Sequence, residues 1–351
     1  MSARRSFFFM IVGLTVFILY LYFFVGLAEI LPVFEHINYM RFSLLYFLAI
    51  AASLLGILFF SASWRRLLGA LSIKISLKKA FQYHSVGNFV DLVVPCQTVC
   101  GEVTRVQLVY QEARENYGRI LASAFVNRII VNIISVFGLS AGVIAILLSH
   151  SSLSSDLIAP LLVVMIGTLI YNVVLISMAA RYGTAEKLFS GFLRFVEIIT
   201  FKRFRREKLL VRAQGPLLSF ETGFQMFRED PKCLVIPSVF LVLSWVCGIL
   251  SFVLVFFALG YFFLPVNFFL MGFALTISIQ GVAAILSVGT LDIFMTKFLS
   301  LYNITIGTSG VAVLLVRLII FWLQIILGYV IIQLVGARRL LSVNPEQKEK
   351  K

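Results

Sequence analysis

The chain has 351 residues, of which 60% are hydrophobic and 13% charged, with a net charge of +14 and a mean hydropathy of +1.01. Those values exclude a soluble domain and describe an all-α polytopic integral membrane protein, one transmembrane domain over residues 1–351. The basic excess reads as positive-inside topology and contact with anionic headgroups, not as a nucleic-acid surface, because the 35 Phe sit mostly in apolar spans.

The first apolar run, about 7–28, follows Arg4 and Arg5 and is too long for a cleaved leader, so it is expected to stay as a first helix. A second span is predicted over 42–60, followed by the basic residues Arg65, Arg66, Lys74, Lys78 and Lys79. The segment 84–100 is shorter and interrupted by Gly87, Asn88, Asp91 and Pro95. Longer spans are predicted over 120–148 and 157–180, with a turn free of Lys and Arg between them. The stretch 181–232 holds eleven Lys/Arg against six Asp/Glu. Its residues Leu188, Phe189, Phe192, Leu193 and Phe195 alternate with charges, as expected of a helix lying in the cytoplasmic interface. Further spans are predicted over 234–259 and 310–335, and between them an apolar segment, 268–288, leads into the polar-interrupted piece 289–307.

Lys/Arg placement sets the orientation. The N-terminus, the 65–79 cluster, the 181–232 stretch and the C-terminus with Arg338 and Arg339 are expected on the cytoplasmic side of a cell membrane. The span 120–148 then runs outward and the span 310–335 inward. These two carry matching residues. Gly101-Glu102 precedes Arg128-Ile129-Ile130, and Gly289-Thr290-Leu291-Asp292 precedes Arg317-Leu318-Ile319-Ile320. An arginine thus follows each glycine by 27 or 28 residues. The expectation is an inverted repeat with halves at about 40–150 and 233–340. It has about six full spans plus two re-entrant hairpins, 67–105 and 263–305, or else eight spans.

Charge at membrane depth is costly and marks either a site or a structural ion pair. The candidate substrate-binding residues are Asn88, Asp91, Glu102, Arg105, Asn127, Arg128, Asp292 and Arg317. Glu102 and Arg105 share a helix face three residues apart, so they pair with each other or leave Arg105 for a lipid phosphate. Arg128 has Glu102 and Asp91 as candidate carboxylates, and Arg317 has Asp292. Gly138 and Gly142 form a GxxxG step read as a packing device. The cysteines 96, 100, 233 and 247 and the histidines 36, 84 and 150 are too scattered for a metal site, so no metal or cofactor is expected. No nucleophile elbow or phosphate-binding glycine loop occurs, which points to a transporter rather than a catalyst.

The pieces Val86-Gly87-Asn88-Phe89, Pro95, Gly101-Glu102-Val103-Thr104-Arg105 and Ala124-Phe125-Val126-Asn127-Arg128 resemble the transmembrane family named after lysylphosphatidylglycerol synthase, often labelled flippase-like. The resemblance extends over about 10–340. Asn127 stands where the family often has Glu, Asp292 replaces another Glu, and the second-half turn at Ser287–Asp292 lacks a proline and a glycine. The resemblance implies movement of an anionic, aminoacylated or polyprenyl-linked lipid between leaflets, with any synthesis done by a separate lipid-modifying enzyme. The rival readings are a non-transporting partner subunit of a lipid- or glycan-modifying enzyme and a membrane-embedded transferase.

Overall fold

The structure is a computed structural model that describes residues 37–93, 99–149, 206–266 and 304–335, with scattered residues between them (33, 35, 166, 167, 169, 170, 173, 268, 269, 272, 273, 295, 298, 299 and 302). Among the described residues every regular element is helical. Among the described residues four stretches are long and apolar enough to cross a membrane: Tyr39–Ala70, Tyr117–Gly142, Pro231–Ala258 and Gly307–Leu334. The protein is therefore a polytopic helical membrane protein. The predicted spans 7–28 and 157–180, the second hairpin with its apolar segment 268–288, and the interfacial stretch 188–204 lie wholly or mostly outside the described residues.

Helix α1, Tyr39–Ala70, begins at Asn38, whose side chain accepts the Arg41 N–H at 3.2 Å. It ends in a Schellman turn. Ser72 takes the left-handed φ of 65°, and the Ile73 and Ser72 N–H groups bond Leu68 and Gly69 carbonyls at 2.9 and 3.0 Å. The basic loop is thereby folded back, and Ser76 starts helix α2, Leu77–Val93, by accepting the Lys79 N–H. The sequence predicts breaks at Gly87, Asn88, Asp91 and Pro95, but the helix runs through the first three, and Pro95 lies outside the described residues. Glycine lowers helix propensity without forbidding the conformation, and tertiary packing outweighs that cost of about 1 kcal/mol. Helix α3, Val99–Ala113, returns along α2 in the opposite direction. The two close to backbone contact, since a Cβ on Gly87 would lie 2.9 Å from the Gly101 carbonyl oxygen.

Helix α4, Tyr117–Ser149, has 33 residues, about 50 Å at 1.5 Å per residue, more than the hydrocarbon thickness. Helix α5, Arg206–Glu229, lies along its first half, with Phe220 and Phe224 packed on Phe125. Pro216 of α5 approaches Gly118, where any Cβ would overlap it. Helix α6, Val235–Ala258, runs antiparallel to α1. Ser244 Oγ donates to the Gly56 carbonyl and Ser251 Oγ to the Ala49 carbonyl, both at 2.8 Å, the small-residue packing expected of helices in lipid. Helix α7, Ile306–Arg317, passes through a π-helical turn, Leu318–Trp322, into helix α8, Leu323–Val335. Gly328 of α8 rests on Phe89 of α2, ring against bare backbone.

Gly138 serves helix packing, as expected of the GxxxG step. It makes room for the indole of Trp245 on α6, and any side chain there would overlap that ring, so it admits an aromatic ring rather than a second backbone.

Candidate functional site

Helices α1, α2, α3, α4, α6 and α8 surround a cavity of about 260 Å³. Its polar lining comes chiefly from the hairpin: His84, Asn88 and Asp91 on α2, and Glu102 and Arg105 on α3. Arg128 reaches in from α4 and Gln324 from α8, while Phe60, Trp245 and Phe273 supply apolar wall. The hairpin geometry depends on Gly101, because a Cβ there would overlap the Asp91 carboxylate and the Gly87 carbonyl.

Glu102 joins the two arginines. It pairs with Arg105 one helical turn away, and its Oε1 lies 3.2 Å from Arg128 Nη2. The side chains of Arg105, Glu102 and Arg128 are 4%, 18% and 26% exposed, so Arg128 is the guanidinium open to the cavity. Arg105 is enclosed, with its Cζ 5.5 Å from the Phe60 ring centre and 5.0 Å from that of Trp64. Those aromatic faces offset part of the guanidinium's desolvation. Asp91, the other carboxylate considered for Arg128, accepts the Gly101 N–H at 2.7 Å and so closes the hairpin tip.

The remaining candidates lie elsewhere. Asn127 is fully buried and sits beside the cavity rather than on it, accepting the Ser63 hydroxyl at 3.1 Å. Together with Trp64 Nε1 donating to Ser123 Oγ at 3.2 Å, it ties α1 to α4. Arg317 is buried and lines a small void with Phe252, Phe256, Met295 and Leu299, apart from the cavity. Gln324, seven residues on, lines the cavity instead. In an unbroken α-helix two residues seven apart share a face to within about 20°. The π-turn between them changes that registry, which accounts for their different surroundings. Asp292 lies outside the described residues.

Sequence reasoning passed over His84 and Gln324. Each left a signal. His84 is one helical turn before Asn88, hence on the same face, and Gln324 is a lone amide within the apolar run Phe321–Ile325.

The sequence signature of the family described as "Lysylphosphatidylglycerol synthase TM region" matches residues 10–328. The chain belongs to that family, a membrane domain associated with lipid-related functions. No curated protein and no solved structure matches the chain significantly.

Proposed function

We propose that the protein is a lipid translocase whose cavity receives a negatively charged headgroup at Arg128 and Arg105. The observation that carries this reading is that two guanidinium groups share one carboxylate, with Arg128 open to the cavity. An arriving phosphate can take the Arg128 donors while Glu102 keeps Arg105 neutralised, so no charge is left alone in the protein interior. The cavity is smaller than the roughly 300–1,000 Å³ that encloses a drug-sized ligand. That volume favours a headgroup in the cavity and acyl chains left in the bilayer. An anionic, aminoacylated or polyprenyl-linked lipid meets these requirements.

Family membership supports the lipid assignment. The matching residue patterns 101–130 and 289–320 support an inverted repeat, with re-entrant hairpins whose halves move against each other to alternate access. The basic loop after α1 supports a cytoplasmic location for that end of the molecule and for both termini.

The test is leaflet exchange of fluorescent anionic, aminoacylated and polyprenyl lipids in proteoliposomes. Wild type is expected to exchange one of these classes, and Arg128→Ala to lose at least 90% of the rate while remaining monodisperse. Equal exchange by both proteins rules out the headgroup role of Arg128. No exchange by wild type with any lipid favours a partner subunit of a lipid-modifying enzyme.

A further inference from the structure

His84 stacks on Phe60 with ring centroids 4.1 Å apart, and both of its nitrogens face polar groups. Arg105 Nη1 lies 3.4 Å from Nδ1, and the Asn88 amide nitrogen lies 3.2 Å from Nε2. The same amide nitrogen is 3.1 Å from Gln324 Oε1. These contacts form one chain, from Arg105 on α3 through His84 and Asn88 on α2 to Gln324 on α8.

Donor and acceptor rules decide how the chain is wired. A guanidinium has donors only, so Nδ1 must accept and carries no proton. A neutral imidazole then has its proton on Nε2, which needs an acceptor opposite. A half-turn of the Asn88 amide exchanges its nitrogen for Oδ1 without changing its shape, and a half-turn of Gln324 then presents Nε2–H to that oxygen. Every contact in the chain is satisfied by this arrangement.

The other neutral tautomer sets Nδ1–H against an Arg105 N–H, in a site where buried Arg105 Nε already has no hydrogen-bond partner. An imidazolium is worse, since it adds a third cation beside Arg105 and Arg128. The groups that line the cavity with the ring are the apolar Phe60 of α1, Asp91 of its own helix, Glu102 and Arg105 of α3, Arg128 of α4 and Gln324 of α8.

We infer that His84 is the positioning residue of Arg105, and that Gln324, acting through Asn88, selects the Nε2–H tautomer in which His84 can serve. The last span therefore controls where a buried arginine of the first-half hairpin points. When α8 moves away from α2, Gln324 no longer holds the Asn88 amide, which can turn its nitrogen back to Nε2; the imidazole proton then passes to Nδ1, which drives the Arg105 N–H from the ring. The consequence for lipid movement rests on the translocase reading, whereas the tautomer does not.

The experiment is ¹⁵N NMR of histidine-labelled full-length protein in detergent, with the His84 signals assigned by their loss in His84→Gln. The expected result is an unprotonated Nδ1 and a protonated Nε2 in wild type. In Gln324→Met the Nε2 signal is expected to move, and leaflet exchange to fall about fivefold, equivalent to about 1 kcal/mol at 1.4 kcal/mol per factor of ten. A proton on Nδ1 in wild type overturns the inference. His84 signals in Gln324→Met identical to wild type overturn the role of the last span. Absence of exchange by wild type, with the Nε2–H tautomer present, overturns the translocase reading and leaves the wiring of Arg105 standing.

Discussion

At the scale of single residues, the shared carboxylate decides which charges can be removed. Glu102→Gln removes the carboxylate paired with Arg105, which stays enclosed by Phe60 and Trp64. Breaking a buried pair in this way costs about 3–5 kcal/mol. Arg128→Ala leaves the pair of Glu102 with Arg105 in place, and the lost interaction is partly exposed, so its cost is at most about 1 kcal/mol. Thermal unfolding in detergent is therefore expected to show a large drop in Tm for Glu102→Gln and a small one for Arg128→Ala. The reverse order would assign the arginine, not the glutamate, the structural role. Sequence spacing made the pairing of Glu102 with Arg105 legible, because three residues is a helical neighbour distance. It left open whether Glu102 or Asp91 serves Arg128, because that choice depends on how the hairpin meets α4.

At the scale of elements, the hairpin is fastened at both ends. Asp91 holds the Gly101 N–H at its tip. At its base Lys79 pairs with Glu112, and the Tyr83 hydroxyl donates to the same carboxylate at 3.1 Å. The hydrogen bond from Lys79 holds the Glu112 carboxyl below the usual range. A depressed folded-state pKa stabilises the fold at every pH above the unfolded value, and that stabilisation is lost as pH falls through the folded value. Glu112→Gln is thus expected to melt below wild type at pH 7 and to match it once both are acidified past the depressed Glu112 value. A difference in Tm that persists in acid would mean that packing, not charge, is lost. The pair is about two-fifths exposed, so salt is expected to shrink the same difference. The π-turn of the last span is the element that sequence could not show. An apolar run of that length reads as one helix, and the inserted turn that separates Arg317 from Gln324 leaves no hydropathy signal.

At the scale of the whole molecule, the spans and the basic loop between α1 and α2 make a directional claim. Ser72 is exposed in that loop. In a background with the four cysteines replaced, Ser72→Cys is expected to react with an impermeant maleimide in inverted vesicles and not in right-side-out ones. Labelling in the opposite set would invert the proposed topology and place the 65–79 cations outside. The same experiment at Ser154, in the turn free of Lys and Arg, is expected to give the complementary pattern.

Run length and charge placement, both local properties of the chain, were enough to establish a helical membrane protein and the approximate limits of α1, α4, α6 and the last span. A bilayer demands continuous apolar helix of a set length, so these elements are written in consecutive residues. The family resemblance rested on equally local pieces, at Gly87-Asn88 and from Gly101 to Arg105. The contents of the cavity were decided by packing. Asn88 and Gln324 are 236 residues apart in sequence and bond at 3.1 Å, while Asn127, next to Arg128, faces Ser63. Helical periodicity gives each residue a face, but which face meets which depends on how the helices cross and rotate. That is set by Gly87 against Gly101 and Gly138 under Trp245, contacts between elements, and by the π-turn before Gln324, which hydropathy does not show.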